Sequence, residues 1–329
     1  MRIVQHGLAA LLALAIVPYL ASPIYRTPAT APFRGPAWYN PYAEWSGPGL
    51  RTNLHAHSRA WGGLTHGDDT PEAVRAAYAT RGYAVASISN YHTIDSVGGG
   101  TISLPTYEHG INVRKSHRLA IGASRVDWFD VPLLQGLHHK QYLLDRLHHG
   151  AELVAIVHPA LRGGHSEEDL RHLTGYELLE VLNHFGVAES HWDAALSTGH
   201  PVWALGNDDT HDVTDKGQTG VMWTQVGAQA PDRDGVVSAL RAGRHVAISS
   251  PGGTADVSLE SARVVGDTLQ VRFSGPVTKA VAVIDGGVRI DSAVGRREIR
   301  FVVPAAASYM RIVASTPAAT LYLNPIIRS

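Results

Sequence analysis

The run Leu50-Arg51-Thr52-Asn53-Leu54-His55-Ala56-His57-Ser58 decides how the rest of the chain is read. In an extended strand, side chains two apart point the same way, so His55 and His57 project from one face, close enough to share a metal ion. With 19 histidines in 329 residues, roughly one H-x-H triplet is expected by chance. The pair therefore takes its meaning from the residues downstream of it and from their order.

Composition narrows the chemistry that such a seed can support. Hydrophobic residues make up 44% of the chain, enough to bury a core in one large domain and a smaller one. The formal net charge is −1 and no basic run is present, so the electrostatic footprint of a nucleic-acid binder is missing. Cysteine is absent, which excludes disulfides, thiolate ligands, a cysteine nucleophile and a lipid-modified cysteine. Any metal must therefore be held by histidine and carboxylate, and histidine is the one excess in the composition.

Ahead of the seed, Arg2 precedes an apolar run from Leu8 to Ala21, the length of a signal-peptide core and shorter than the roughly 20 residues that span a bilayer. Residues 1–22 read as a signal peptide or an N-terminal membrane anchor. The expected location is the periplasm or beyond, with attachment to the inner membrane if the segment is kept. Residues 23–49, rich in proline, read as a tether whose Trp38, Tyr39, Tyr42 and Trp45 pack onto the adjoining domain.

Residues 50–250 alternate strand and helix. Thr70 as N-cap with Pro71 after it starts a helix that Gly82 ends. The strand Ala84–Ser89 delivers Tyr91-His92. A helix from Leu137 to Leu147 precedes Leu153–Val157, which delivers His158-Pro159, and Ser166 with Asp169 forms a capping box before the strand 176–183. Finally Val202–Leu205 delivers Asn207-Asp208-Asp209-Thr210-His211. Such alternation predicts an α/β fold around a largely parallel sheet, in which reactive residues collect at the C-terminal ends of strands. His57, His92, His158, Asp209 and His211 all fall at such ends. Asp208, one residue from Asp209, is expected to point the opposite way and support the fold. From residue 251 to 329 short alternating runs separated by Gly266-Asp267 and Asp285-Gly286-Gly287 predict a small β-sandwich.

The motifs in this order resemble those of the PHP (polymerase and histidinol phosphatase) family of metal-dependent hydrolases, from about Thr52 to His211. The series is His55-Ala56-His57, His66-Gly67 ahead of Pro71-Glu72, Tyr91-His92, Glu108, His117 opening a strand, His158-Pro159, and Asp209-Thr210-His211. Two positions depart from the pattern: Tyr91 stands where an Asp is usual, and Tyr107 where a Gly is. Features near Trp192-Asp193, Gly243-Arg244-His245 and Asn324-Pro325 look most like an exported branch that includes carbaryl- and carbofuran-hydrolase-like proteins.

The resemblance implies a distorted TIM-like barrel of about seven β/α units, succeeded by the C-terminal sandwich. It also implies three divalent ions, Zn, Mn or Fe. One takes His55, His57, Glu108 and Asp209; a second shares Glu108 and adds His117 and His158; the third takes His66, His92 and His211. Catalysis is assigned to Glu108, Asp209 and His211, with hydroxide held between two metals as nucleophile.

The substrate is expected to be a small phosphate ester, met by Arg125, Lys115, Arg162 and His184. A carboxylic or carbamic ester or amide is the alternative, with Trp61, Trp128 and Phe129 as its apolar pocket. A metal-binding module without activity is the third reading.

Overall fold

A computed structural model describes residues 2–64, 67–95 and 100–329. The first half of the chain runs α1 (Arg2–Ala21), β1 (Trp38–Tyr39), β2 (Leu50–Asn53), α2 (Pro71–Thr80), β3 (Val85–Ala86), β4 (Thr106–His109), β5 (His117–Ile121), α3 (Leu137–Leu147) and β6 (Leu153–Val157). It continues with α4 (Glu167–His172), β7 (Leu178–Asn183), β8 (Gly186–Val187), α5 (Glu189–Leu196), β9 (Trp203–Gly206), β10 (Met222–Val226), α6 (Arg233–Arg241) and β11 (His245–Ser249). Five long strands end the chain: β12 (Leu259–Val265), β13 (Thr268–Ile284), β14 (Val288–Val302), β15 (Tyr309–Ser315) and β16 (Thr320–Arg328). The local signals act as read. Thr70 Oγ1 accepts from Ala73 N at 3.3 Å, and the Ser166–Asp169 capping box closes α4 from both sides.

Seven segments join edge to edge into a ring. β2 pairs with β3 in parallel, and a parallel bridge from Tyr91 to Glu108 carries the ladder on to β4. β4, β5 and β6 then pair antiparallel, and β6, β7 and β9 pair parallel. The chain just past β9 returns to the chain just past β2: His57 N donates to Thr210 O at 2.8 Å and Asp209 N to His55 O at 2.9 Å. Leu, Ile, Val and Ala side chains of β6, β7 and β9 are buried on both faces, as parallel strands covered by helices must be.

The fold is thus mixed α/β, but the strict alternation is broken. Gly110 to Ser116 is too short a connection for a parallel crossover, which needs a dozen or more residues, so β4 and β5 form a hairpin and β5 runs backwards through the ring. Among the described residues no helix lies between β3 and β4 or between β4 and β5.

The C-terminal strands also differ from a free-standing sandwich. They order as β12–β13–β15–β16 and, through the β16–β11 pair, continue into β10, β2 and β3 as one ten-stranded sheet, with β14 on β13 and β1 on β16. Alternation in a sequence identifies strands but not their partners.

The aromatic tether packs down as expected. Tyr42 donates to His245 O at 2.9 Å, Trp45 Nε1 to Leu259 O at 3.0 Å, and Tyr39 to Ala242 O at 2.8 Å. No helix among the described residues is long and apolar enough to cross a membrane. In α1, Pro18 lies within the helix and the Tyr19 hydroxyl donates to Leu134 O at 2.9 Å.

His165 and His245 are fully buried and His200 partly so, and burial disfavours their charged forms. Burial holds the His245 imidazole down at about 3, and the same desolvation lowers His165 and His200. Below pH 6.5 the unfolded chain therefore takes up protons that the folded chain refuses, and stability falls with pH until the folded-state value is reached. For one such group the slope approaches about 1.4 kcal/mol per pH unit. Urea unfolding at pH 7 and pH 5 should show His245→Leu with a shallower loss of stability than the unmodified protein.

Candidate metal centre

Five ring segments bring their polar residues to one mouth. His55 and His57 lie just past β2, Glu108 lies in β4, His158 comes directly after β6, and Asp209 and His211 lie just past β9. His117 opens β5, and because that strand is reversed its N-terminal end arrives at the same mouth. Of these seven, His55, His57, Glu108, His117, His158 and Asp209 are buried and His211 is partly so.

Their ligand atoms converge. His55 Nε2 lies 3.6 Å from Glu108 Oε2 and 3.2 Å from Asp209 Oδ1. His57 Nε2 lies 3.1 and 3.2 Å from the same two oxygens. A tetrahedral ion bound at 2.0–2.1 Å separates its ligand atoms by about 3.3 Å, so these four atoms are spaced to hold one. None of the four makes a hydrogen bond, although each is buried in a protein interior where lone polar atoms are costly. The other oxygen, Glu108 Oε1, faces His117 Nδ1 at 2.5 Å and His158 Nε2 at 3.1 Å. One carboxylate therefore joins two donor groups, and His57, Asp209 and His211 form a further grouping. An all-nitrogen and oxygen donor set of this kind suits divalent Zn, Mn or Fe.

Charge says the same. Burial alone would push the carboxyls up, yet the surrounding imidazoles hold Glu108 and Asp209 well below the carboxylate range. Burial alone would push the imidazoles down, and it does so for His117 and His211, to about 4. At His55 the desolvation is overcome by Asp209, Glu180 and Glu108, which raise it well above its ordinary value. The imidazoles are the positive partners of these buried carboxylates here, and a divalent cation is another partner that the same donor set can accept.

Glu180 is the residue that sequence reasoning misses. Fully buried in β7, its carboxylate accepts from His158 N at 2.9 Å, Asn183 Nδ2 at 2.8 Å and Asn207 Nδ2 at 3.0 Å, and stands 3.0 Å from His55 Nδ1. Serving donors on every side, it takes the Nδ1 hydrogen of His55 and turns the Nε2 lone pair to the cluster. A signal for it exists: an acid within the apolar run Leu178-Leu179-Glu180-Val181-Leu182 has to be partnered.

Other expected residues divide. His66 lies outside the described residues. His92 is turned away: Tyr91 takes the facing position, its ring stacked 5.1 Å from His57, while His92 Nδ1 meets Asp127 O at 3.1 Å and Nε2 accepts from Gly110 N at 3.4 Å. With both nitrogens engaged, His92 belongs to none of the donor groups formed among the described residues.

Lys115, Arg162 and His184 line a cavity of about 420 Å³ over the cluster. Arg125 does not. It lies beyond the C-terminal end of the reversed strand β5, which is the far end of the ring, and is exposed there beside Gly150. Asp208 points away, as expected, and accepts from the backbone of Gly220, Val221 and Met222 and from Tyr78.

No family model matches the chain, and no curated protein matches it. A solved structure from Bacteroides vulgatus, described as a two-domain protein containing a predicted PHP-like metal-dependent phosphoesterase, is similar at 14% identity and a TM-score of 0.45, over 93% of this chain and 92% of that one. At that score the likeness decides nothing about activity.

Glu180→Gln should test the cluster's support. The amide turns a donor toward His55 or loses an acceptor, so Zn²⁺ or Mn²⁺ affinity measured by calorimetry should drop on the order of 10- to 100-fold, with the far-ultraviolet dichroism unchanged.

Proposed function

We propose that the protein is a metal-dependent hydrolase of small phosphate esters. The observation that carries this is Glu108, a single buried carboxylate whose two oxygens serve two separate donor groups beneath a cavity lined by cations. The series of motifs resembling the PHP family supports the same reading, as does the convergence of lone pairs that make no hydrogen bond.

In this proposal His55, His57, Glu108 and Asp209 hold one divalent ion, and Glu108, His117 and His158 hold a second. His57, Asp209 and His211 border the same space. Such ions, when bound, make water acidic near neutral pH and offset negative charge as it develops. Water adds to phosphorus, the bond from phosphorus to the leaving oxygen breaks, and a proton from the water ends on that oxygen. Lys115 and Arg162, which line the cavity, offer hydrogen bonds to the phosphoryl oxygens; within ion-pair distance neither has a described carboxylate partner to compete. His184 gives its Nδ1 hydrogen to Asp208 O at 2.7 Å. That leaves Nε2 as the basic nitrogen of a residue lining the cavity, suited to hold the proton in transit. Asn183 Nδ2, 3.3 Å from Asp209 Oδ2, keeps the other oxygen of Asp209 aimed at the cluster.

Glu108→Gln keeps the shape and removes the charge that joins the two groups. Turnover should fall roughly a hundredfold or more while the thermal unfolding midpoint changes little. Protein loaded with Mn²⁺ or Zn²⁺ should cleave p-nitrophenyl phosphate or its bis ester and lose that activity on chelation. Cleavage of naphthyl carbamate alone would move the reading to carbamic esters; cleavage of none would leave a binding module.

Export of the chain through residues 1–22 is proposed as well. Fractionation should find the protein outside the inner membrane.

A further inference from the structure

Beside the cluster cavity lies a second one of about 430 Å³, lined by Trp61, Leu64, Ile111 and Trp128 and sharing Tyr91, Lys115 and His117 with the first. Its apolar side chains are exposed: Trp61 by 47%, Trp128 by 62%, Ile111 by 63% and Leu64 by 89%. Large apolar groups left in water side by side mark a binding surface more often than chance does.

The groove is also built. Trp61 Nε1 donates to Tyr91 O at 2.8 Å, which fixes the indole. Trp128 and Trp61 meet edge-on at 5.6 Å and 85°, and the Trp128 ring stacks on His92 at 5.4 Å and 18°. His92, held by Asp127 O, is thus a positioning residue for Trp128. Two residues of the groove, Trp61 and Lys115, sit on left-handed backbone at φ 52° and 58°. That conformation is uncommon outside glycine and a true outlier for a bulky side chain, and strain of this kind persists where surrounding structure holds it for a purpose. Lys115 stands at the junction of the two cavities, with Nζ 3.5 Å from the Tyr91 hydroxyl and no described carboxylate within ion-pair distance.

We propose that the groove takes a flat aromatic group of the substrate, so that the protein's esters are aryl or aryl-alkyl phosphates: the phosphoryl head over the cluster, Lys115 against its oxygens, the ring against Trp61 and Trp128. This rests on the phosphoesterase reading of the cluster and deepens it. Continuity and charge select the occupant. A cation between a polar cavity and an aromatic one matches a ligand anionic at one end and flat and apolar at the other.

The test compares phenylphosphonate with methylphosphonate, which carry the same head and cannot be hydrolysed, by calorimetry on the full chain loaded with Mn²⁺. Phenylphosphonate should bind about tenfold more tightly. Trp61→Ala and Trp128→Ala should each remove most of that difference while leaving methylphosphonate binding in place, and Trp128→Phe should restore it. In turnover the same alanine variants should raise KM for phenyl phosphate without lowering kcat, and leave glycerol phosphate unaffected. Equal affinity for the two phosphonates, or equal weakening of both in the variants, would overturn the groove. If the affinity difference stands but phenyl phosphate is not cleaved, the phosphoesterase reading fails and the groove does not.

Discussion

The parallel lacing of residues 53–57 against residues 207–210 is the constraint on which the rest of the site depends. Main-chain bonds run from His57 N to Thr210 O and from Asp209 N to His55 O. Where the ladder would lapse, two buried side chains replace it: Asn207 Oδ1 accepts from Leu54 N at 2.8 Å and Asn53 Oδ1 from Asp208 N at 2.9 Å. Period-two geometry then leaves His55 and His57 on one face and Asp209 beside them, with Asp208 on the other. Slip the register by one residue and the cluster would receive Ala56 and Asp208 in place of its ligands. Thr224 helps seal the same wall, trading hydrogen bonds with both backbone groups of Gly206.

The part of the fold and site that is legible in the sequence is the part that depends on local order. H-x-H on a strand, a histidine directly after an apolar run, and an Asp at the exit of a strand each need only periodicity, and His55, His57, His158 and Asp209 meet as that reading implies. The illegible part depends on strand direction and on partners distant in sequence. A parallel β5 would carry Arg125 to the mouth of the ring; the reversed strand carries it to the opposite end. The position of His92 resembles that of a ligand, yet Tyr91 occupies the facing side and Asp127 and Gly110 engage both nitrogens of His92. Glu180, an acid inside an apolar strand, reads as an interruption until its four nitrogen partners are seen around it.

Backbone strain gathers where function is proposed. Among the described residues other than glycine, positive φ is found at Trp61, His92, Lys115, His158, Arg162 and Asp209. All six belong to the cluster, its cavity or the adjoining aromatic wall. Gly110 shows the same crowding from the other side: a Cβ there would lie 2.7 Å from the His117 ring, so only a glycine lets that imidazole swing in beside Glu108.

The hairpin of β4 and β5 places Glu108 and His117 close together along the chain, whereas Leu54 and Asn207, which close the ring, are 153 positions apart. The site therefore has a half made by chain neighbours and a half made by segments far apart in sequence, whose closure costs a polymer more entropy. A cation held as proposed by His55, His57, Glu108 and Asp209 would span both halves. Besides any chemistry it supplied, an ion bound there would act as a clasp on the loop between them, coupling the opening of the ring to loss of the ion.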